Sequence, residues 1–323
     1  MIHRISRRRF LAATAGGMLA ATATASGGRA AAEDDAPAEA SSPAPRTAFP
    51  ISLNSSTLRG HKLPLRRVVE IAAAAGYDGI EPWPDDIARH LEKGGTLADI
   101  RQQIDDAGLR VTGAIAFFRW MVDDETARRA AHEEARRLLE QLAAIGATHV
   151  AAPPSGDVAD VSLLAAADRY RALLDLAEPF GVIPAVEVWG FARNCRRLGE
   201  AALVAMEADH PKACVLPDVY HLVKGGSPLS AVRFLNGTRI GGFHFNDVPA
   251  GIERDALKDS DRVYPGDGAT PLGQLLRDLR DIGYSGPLSI ELFNPQYYKE
   301  DPEVVARTAL AKTRAVMEEA LAK

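Results

Sequence analysis

Short apolar runs alternate along this chain with longer amphipathic stretches. The apolar runs are FPISLN at 49–54, YDGIEP at 77–82, LRVTGAIAFF at 109–118, THVAAPP at 148–154, VIPAVEVW at 182–189, ACVLPDVYH at 213–221, IGGFHFND at 240–247 and PLSIELF at 287–293. Such runs favour strands, and strands that alternate with helices form parallel sheets. Eight repeats over about 275 residues predict an α/β protein with a single (β/α)8 TIM barrel, which we place at residues 49–323.

The amphipathic stretches predict the outer helices of the barrel. Helices are expected near Leu63–Ala75 and Glu125–Ile145, where apolar residues recur with helical spacing. Glycine often ends a helix in the left-handed conformation. Glycines follow the stretches at Gly76, Gly108, Gly146, Gly181 and Gly283. In the helix at Glu125–Ile145, the residues expected to face the barrel are Ala130, Leu138, Leu142 and Ile145.

The first 48 residues do not follow the barrel pattern. The motif SRRRFL at 6–11, followed by a mildly apolar stretch rich in Ala, Thr and Gly, is typical of a twin-arginine signal. We place the signal at residues 1–32, with cleavage after Ala25 as the alternative. This stretch is too short and too rich in glycine to span a membrane. Residues 33–48 are rich in Pro, Ala and acidic side chains, so we expect a disordered linker. The sequence therefore predicts a periplasmic protein that uses the Tat export machinery.

The charge balance limits the possible partners. The chain has 38 basic and 43 acidic residues, which gives a net charge of −5. Loss of the predicted signal removes five arginines and leaves a net charge of about −10. Because nucleic acid attracts basic surfaces, this balance argues against a nucleic-acid substrate.

Four polar side chains interrupt the later apolar runs at equivalent places. Each of them lies near the carboxyl end of a predicted strand: Glu187, Asp218, His244 and Glu291. In a parallel barrel these strand ends share one rim. Buried carboxylates are costly without a counter-charge, so the group needs a shared cation. Three carboxylates and one imidazole suit Mn²⁺, Zn²⁺ or Mg²⁺, and we predict one divalent metal ion on this rim.

Several motifs on this rim resemble those of a known family. They are PDVYHL at 217–222, FHFND at 243–247, DRVYPGDGA at 261–269 and LSIELFNPQYYK at 288–299. With these motifs the chain resembles the sugar phosphate isomerase/epimerase family of xylose-isomerase-like barrels, and within it the inosose (2-keto-myo-inositol) isomerase branch. The resemblance implies that Glu187, Asp218, His244 and Glu291 bind one divalent metal, typically manganese or zinc. It also implies that His221 and Arg262 reach the substrate.

The predicted chemistry is proton transfer next to a ketone. A metal ion that polarises the carbonyl oxygen makes the enediolate accessible near neutral pH. Glu187 and Glu291 are the predicted catalytic bases, since each can ligate with one oxygen and accept a proton with the other. One base would shift the carbonyl along one face, and two bases on opposite faces would invert a centre. The residues leave both outcomes open.

Two further residues are candidates for substrate contact, each with a structural alternative. His221 is predicted to be catalytic, as a hydrogen-bond donor or proton relay to a substrate oxygen, from a strand end or loop. Its alternative role is to orient Asp218. Arg262 is predicted to hold the oxygens of the enediolate through its fork of donors. Its alternative is a surface ion pair with Asp259 or Asp261.

Aromatic residues follow several strands on the same rim. Those predicted to stack on the apolar face of the substrate ring are Phe118, Trp120 and Trp189. Trp83 lies past the second strand, and Phe117 is expected either on the rim or as a cap of the barrel core. Two acids are also noted: Glu81 as a further acid or a structural hydrogen-bond partner, and Asp247 as a residue that orients a ligand or a loop.

Three functions remain possible on the sequence alone. The first is a metal-dependent isomerase or epimerase of a keto-sugar or inosose. The second is a lyase that eliminates a substituent β to the ketone of a 3-oxo-glycoside, which shares the enediolate. The third is a non-catalytic sugar-binding barrel. Because neither a P-loop nor a dinucleotide fingerprint is present, we expect an unphosphorylated small molecule, a keto-sugar or cyclitol.

Overall fold

Each predicted apolar run contains a strand, although the strands are shorter than the runs. A computed structural model describes residues 49–156, 158 and 160–322. The strands are β1 (Ile51–Asn54), β2 (Gly79–Glu81), β3 (Arg110–Val111), β4 (His149–Ala152), β5 (Ile183–Glu187), β6 (Val215–Leu216), β7 (Phe243–Phe245) and β8 (Leu288–Ile290). The predicted export signal and linker lie outside the described residues, so their bounds stay a prediction.

All strand pairs are parallel and follow the order of a closed barrel. Strands β3-β2-β1-β8-β7 form one sheet and β4-β5-β6 form another. Parallel bridges connect the two sheets, one between Ile115 and Ala151 and one between Val215 and Ile240. Since every strand then has two neighbours, the architecture is the predicted (β/α)8 barrel.

The helices surround this barrel. They are α1 (Leu65–Ala75), α2 (Pro84–Glu92), α3 (Leu97–Asp106), α4 (Glu125–Ile145), α5 (Leu163–Ala177), α6 (Leu198–Glu207), α7 (Val219–Gly225), α8 (Leu272–Asp281) and α9 (Pro302–Leu321). Gly76 and Gly146 end α1 and α4 with φ of 92° and 90°, a conformation that glycine adopts without strain. Among the described residues, no helix combines the length and apolarity needed to cross a membrane.

The predicted bounds of α4 are confirmed, but part of its predicted inner face is wrong. Its buried residues are Ala131, Ala135, Leu139, Leu142 and Ile145. Ala130, expected to face the barrel, is exposed, and Leu138 is half-buried. The reason is the pitch of the helix: Ala130 lies about 120° around the axis from Leu142, whereas Ala131 lies within about 20° of it.

Candidate metal centre and substrate site

Four strands bring the predicted ligands to one rim of the barrel. Glu187 is the last residue of β5, and His244 is the central residue of β7. Asp218 lies shortly after β6, and Glu291 directly follows β8. All four side chains are buried. The tertiary structure therefore brings together the four residues whose spacing and type suggested a metal site.

A single ring nitrogen is surrounded by the three carboxylates. Nδ1 of His244 lies 3.3 Å from Oε2 of Glu291 and 3.5 Å from Oε1 of Glu187. The same nitrogen lies 3.7 Å from Oδ2 of Asp218. The ligand atoms of Asp218, His244 and Glu291 all lie within 4.8 Å of one another, as those of a metal-binding group do.

The polar atoms of this group fit a divalent cation. Both carboxylate oxygens of Glu187 and Nδ1 of His244 are buried and have no hydrogen-bond partner among the described residues. Buried charged groups without partners are costly, and a bound cation would compensate them. Three carboxylates and one imidazole are donors that Mn²⁺ and Zn²⁺ accept.

Glu81 holds the imidazole of His244 from the side opposite to the carboxylate group. Oε1 of Glu81 lies 3.1 Å from Nε2 of His244, and its Oε2 accepts hydrogen bonds from Asn54 and Ser289. A ring that donates from Nε2 can present the lone pair of Nδ1 to a cation. Of the two roles left open for Glu81, the structure shows that of a hydrogen-bond partner.

Asn54 is a site residue that the sequence analysis missed. Its Nδ2 lies 3.1 Å from Oε2 of Glu81 and 3.3 Å from Oε1 of Glu291, and its Oδ1 accepts a hydrogen bond from Nε1 of Trp83. A signal was present, because Asn54 ends the first strand and is paired with Glu81 in the register of β1 and β2. An amide carries no charge, so its position alone did not indicate chemistry.

Arg262 lies inside the carboxylate group rather than on the surface. Its Nη1 donates to Oδ2 of Asp218 at 2.7 Å and to Oε2 of Glu291 at 2.8 Å. Its Nη2 also donates to Oδ1 of Asp259 at 2.8 Å, so the ion pair considered from the sequence exists. That pair is not a surface one, since the Arg262 side chain is buried. The guanidinium neutralises part of the negative charge of these carboxylates.

His221 lies in the first turn of α7, and the predicted strand end or loop is wrong. Asp218 caps this helix, and its Oδ1 accepts a hydrogen bond of 2.9 Å from the backbone N–H of His221. The ring is buried, with Nδ1 3.2 Å from the backbone N of Gly190 and Nε2 3.2 Å from Nη2 of Arg262. The backbone of His221 therefore orients Asp218, while its ring contacts Arg262.

Burial sets the electrostatics of the site. Burial raises the pKa of Glu291 to about 8, against the opposing charges of His244 and Arg262. Burial likewise raises the pKa of Glu187, and it lowers the pKa of His221 to about 3. Two carboxylates of raised proton affinity, Glu187 and Glu291, therefore lie on the same rim as the neutral ring of His221.

Aromatic rings line the rim beside this group. The ring centroid of Phe117 lies 6.2 Å from that of Trp83 and 5.7 Å from that of Trp189. Phe293 lies 5.9 Å from Trp83, and Phe191 lies 6.3 Å from Trp189. We call these five residues the aromatic wall. Phe117 and Phe191 are each 43% exposed, so the wall offers ring surface to a ligand.

Trp189 belongs to the aromatic wall, but the predicted contacts of Phe118 and Trp120 are not supported. Both residues are buried in the core. Nε1 of Trp120 donates to the carbonyl of Ala152, and its ring packs against Tyr170 of α5. Neighbouring residues of an extended segment point to opposite sides, so Phe117 faces the rim and Phe118 does not.

Asp247 anchors the loop that carries Arg262. Its Oδ1 accepts backbone hydrogen bonds from Val248 and Thr270, and its Oδ2 accepts them from Gly266 and Gly268, at 2.8–3.1 Å. The backbones of Asp247 and Val263 also pair. A Cβ at Gly268 would lie only 2.3 Å from Oδ1 of Asp247, which explains the glycine in the motif PGDGA. Of the two roles expected for Asp247, the structure shows the orientation of a loop.

A comparison with protein families agrees with this geometry. A family model described as xylose isomerase-like TIM barrel matches residues 69–316. The chain belongs to this family. The match includes the seven barrel strands from β2 to β8, with all four candidate metal ligands. The predicted family and the predicted barrel are thereby confirmed.

Three similar proteins show how much of the chain the likeness covers. Inosose isomerase of Bacillus licheniformis is 29% identical over 78% of this chain and 92% of its own length. 3-Dehydroshikimate dehydratase of Pseudomonas putida is 29% identical over 70% of this chain, but only over 35% of its own. The crystal structure of IOLI protein with a binding zinc atom superimposes with a TM-score of 0.77 at 26% identity, over 85% of this chain and all of that one.

Proposed function

We propose that this protein is a divalent-metal-dependent isomerase or epimerase of a keto-sugar or inosose. The observation that carries the proposal is the convergence of Glu187, Asp218 and Glu291 around Nδ1 of His244, with both oxygens of Glu187 left without hydrogen bonds among the described residues. The class of enzyme rests on the inosose isomerase that resembles most of the chain. This relative also argues against a non-catalytic sugar-binding barrel.

The four side chains of the metal centre would hold the cation: Glu187, Asp218, His244 and Glu291. A bound divalent cation would act as a Lewis acid on the carbonyl oxygen and stabilise the enediolate. Zinc is supported by the structure of IOLI protein with a binding zinc atom, and manganese is an alternative that the same donors accept.

Glu187 is the better placed of the two candidate bases. Glu291 is engaged by Arg262 through Oε2 and by Asn54 through Oε1. Glu187 has no such partner among the described residues, so either of its oxygens is free to accept a proton. We assign Glu187 as the first base and Glu291 as the group that holds or returns the proton.

Arg262, His221 and the aromatic wall would position the substrate. The guanidinium of Arg262, whose donors are held by Asp218, Glu291 and Asp259, would place its positive charge beside the enediolate and stabilise it. The neutral ring of His221 accepts a hydrogen bond from the backbone N–H of Gly190 and contacts Nη2 of Arg262, so it supports the guanidinium without adding charge. Trp189 of the aromatic wall lies 6.4 Å from the His221 ring, so an apolar sugar face can stack there while its oxygens meet the polar groups.

Deuterium exchange tests the proposed function. Protein loaded with zinc or manganese is incubated in D₂O with an inosose, and in parallel with a 3-oxo-glycoside. We expect deuterium at the carbon next to the ketone in an isomerised product, and no exchange with Glu187→Gln. Glu140→Gln, an exposed change on α4, serves as the matched control. No exchange with any keto-sugar tested would contradict the proposal.

A lyase is the second candidate. It is supported by the similarity to a 3-dehydroshikimate dehydratase, although this chain spans only about a third of that relative. Elimination β to a ketone begins with the same proton abstraction, and differs in the bond that breaks next. In the same experiment a lyase would release the free aglycone of the 3-oxo-glycoside, which an isomerase would not.

We also propose that the protein is exported through the twin-arginine route and acts in the periplasm. The motif SRRRFL at 6–11 supports this proposal. Replacement of Arg7 and Arg8 by lysine should retain the protein in the cytoplasm, as measured by cell fractionation. Unchanged export of that double variant would argue for another route.

A further inference from the structure

A separate cavity of about 320 Å³ lies on the same rim, beyond the ends of β1 and β2. Trp83 of the aromatic wall lines it, together with Ser56, Arg59 and Lys62. Asn54, two positions before Ser56 in the chain, hydrogen-bonds to both Trp83 and Glu291. The cavity is therefore next to the metal centre and shares a wall with the substrate site.

The guanidinium of Arg59 is oriented, yet it has no acceptor. Its Cζ lies 4.5 Å from the ring centroid of Trp83 and 5.8 Å from that of Phe293. The Phe293 ring in turn lies 5.0 Å from Cζ of Arg262, so one ring separates the two guanidiniums. The exposed side chain of Arg59 makes no hydrogen bond or ion pair with any part of the chain that the structure describes. Its donors are available to a ligand.

Ser56 supplies an independent sign of a missing partner. Its side chain is 1% exposed, and its hydroxyl has no hydrogen-bond partner within the described part of the chain. The neighbouring Ser55 differs, since its hydroxyl donates to Asp86 and accepts from the backbone N–H of Trp83. Because buried hydroxyls are normally paired, the unpaired hydroxyl of Ser56 marks a polar group without a partner in the wall of the cavity.

The charges around the cavity favour an anion. Asp86 is neutralised by Arg89 and also accepts the Ser55 hydroxyl. What remains is the positive charge of Arg59 and Lys62 against the exposed carboxylate of Asp85. The cavity thus keeps a positive balance in a chain whose net charge is −5. A planar carboxylate matches the fork of donors of an arginine.

We propose that Ser56, Arg59 and Lys62 form a subsite for a carboxylate of the substrate, so that the keto-sugar processed here is an acidic one. The inference rests on the proposed function for the reacting end of the molecule. The binding of the acidic end does not depend on turnover, and it can be tested separately.

Calorimetric titration of the zinc-loaded protein tests the subsite. The dissociation constants of three probes are compared: D-glucuronate, D-glucose and D-glucose 6-phosphate. We expect glucuronate to bind at least tenfold more tightly than glucose, and this preference to be lost in Arg59→Gln and reduced in Ser56→Ala. Arg66→Gln, which removes an exposed arginine of α1, is the matched control and should retain it. Metal content and thermal unfolding show whether each variant folds and keeps its cation.

Three results would overturn the subsite. The first is that glucuronate binds no more tightly than glucose. The second is that its preference survives both Arg59→Gln and Ser56→Ala, which would place the carboxylate at the cation. Tighter binding of glucose 6-phosphate than of glucuronate would overturn the carboxylate assignment. If glucuronate shows the Arg59-dependent preference while deuterium exchange is absent for every keto-sugar, the subsite stands and the proposed function fails.

Discussion

Nε2 of His244 lies 3.1 Å from Oε1 of Glu81, although the two residues are 163 positions apart in the chain. The two residues belong to β7 and β2, which are separated in the barrel by β8 and β1. Burial disfavours a charged imidazole, but the carboxylates of Glu291 and Glu81 outweigh it and raise the pKa of His244 well above its ordinary value. Glu81 thus controls both the orientation and the basicity of a candidate metal ligand.

The change Glu81→Gln should weaken metal binding without removing a ligand. Loss of the carboxylate lowers the basicity of His244 and frees its ring, which typically costs about 10- to 100-fold in metal affinity. Competition with a chromogenic chelator measures the affinity, and Glu140→Gln is the control. Unchanged affinity in Glu81→Gln would show that the other contacts suffice to position His244.

The two candidate bases should differ in their effects on exchange. Glu187→Gln should lower turnover by about 100-fold or more, because general-base catalysis contributes on that order. Glu291→Gln should also lower turnover, since it weakens the position of Arg262 as well as the proton acceptor. Residual deuterium exchange without product in Glu291→Gln, and none in Glu187→Gln, would identify Glu187 as the first base. The reverse pattern would exchange the two roles.

Asp247→Asn should loosen the loop that carries Arg262. Replacing one carboxylate oxygen by NH₂ removes the acceptor of two backbone N–H groups, at a cost of roughly 1–3 kcal/mol in the free energy of unfolding. Urea unfolding measures this cost, and limited proteolysis near residues 263–270 measures the loop. Asp281→Asn on α8, an exposed change, provides the comparison. Equal stability of the two variants would mean that the loop does not depend on Asp247.

Removal of the metal should destabilise the protein. The carboxylates of the metal centre would lose their counter-charge, and Arg262 neutralises only part of it. A chelator should therefore lower the melting temperature, and zinc or manganese should restore it. The melting temperature of His244→Ala should respond neither to the chelator nor to added metal, because this variant already lacks a ligand. A chelator that leaves the melting temperature of the unmodified protein unchanged would count against a bound cation.

His149, at the start of β4, should make the protein less stable in mild acid. Burial lowers its pKa below the ordinary value, so the folded state binds this proton less readily than the unfolded state. The contribution of the neutral His149 ring to the free energy of unfolding is complete above the pKa of the unfolded state, near 6.5. It is lost as the pH falls from there toward the lower pKa of the folded state. At saturating zinc, the melting temperature of His149→Asn should fall less steeply below pH 6.5 than that of the unmodified protein. Parallel curves for the two proteins would exclude this contribution.

The candidate ligands could be found from the sequence because their positions follow from strand ends. A polar residue at the end of an apolar run has one location in a parallel barrel, whatever the details of packing. Glu187, Asp218, His244 and Glu291 satisfy that rule, and so does Glu81. The role of Glu81 did not follow, because it depends on a contact across the barrel with His244.

Predictions for individual side chains were wrong where a shift of one position along the backbone decides which way the side chain points. Phe117 and Phe118 are adjacent aromatic residues of similar hydrophobicity, and only the backbone decides which one faces the rim. His221 follows an apolar run that continues into α7, so its pattern fitted a strand end as well as a helix. Ala130 was misplaced because small apolar residues occur on both sides of α4.

The sequence by itself determined the barrel and the residue types of its rim, because hydrophobic periodicity and strand-end polarity are local properties of the chain. Only the tertiary structure decided which groups face each other: Glu81 and His244, Arg262 between Asp218 and Glu291, and Arg59 over Trp83. These contacts join distant segments, and their geometry depends on the packing of the whole barrel rather than on any one stretch of sequence.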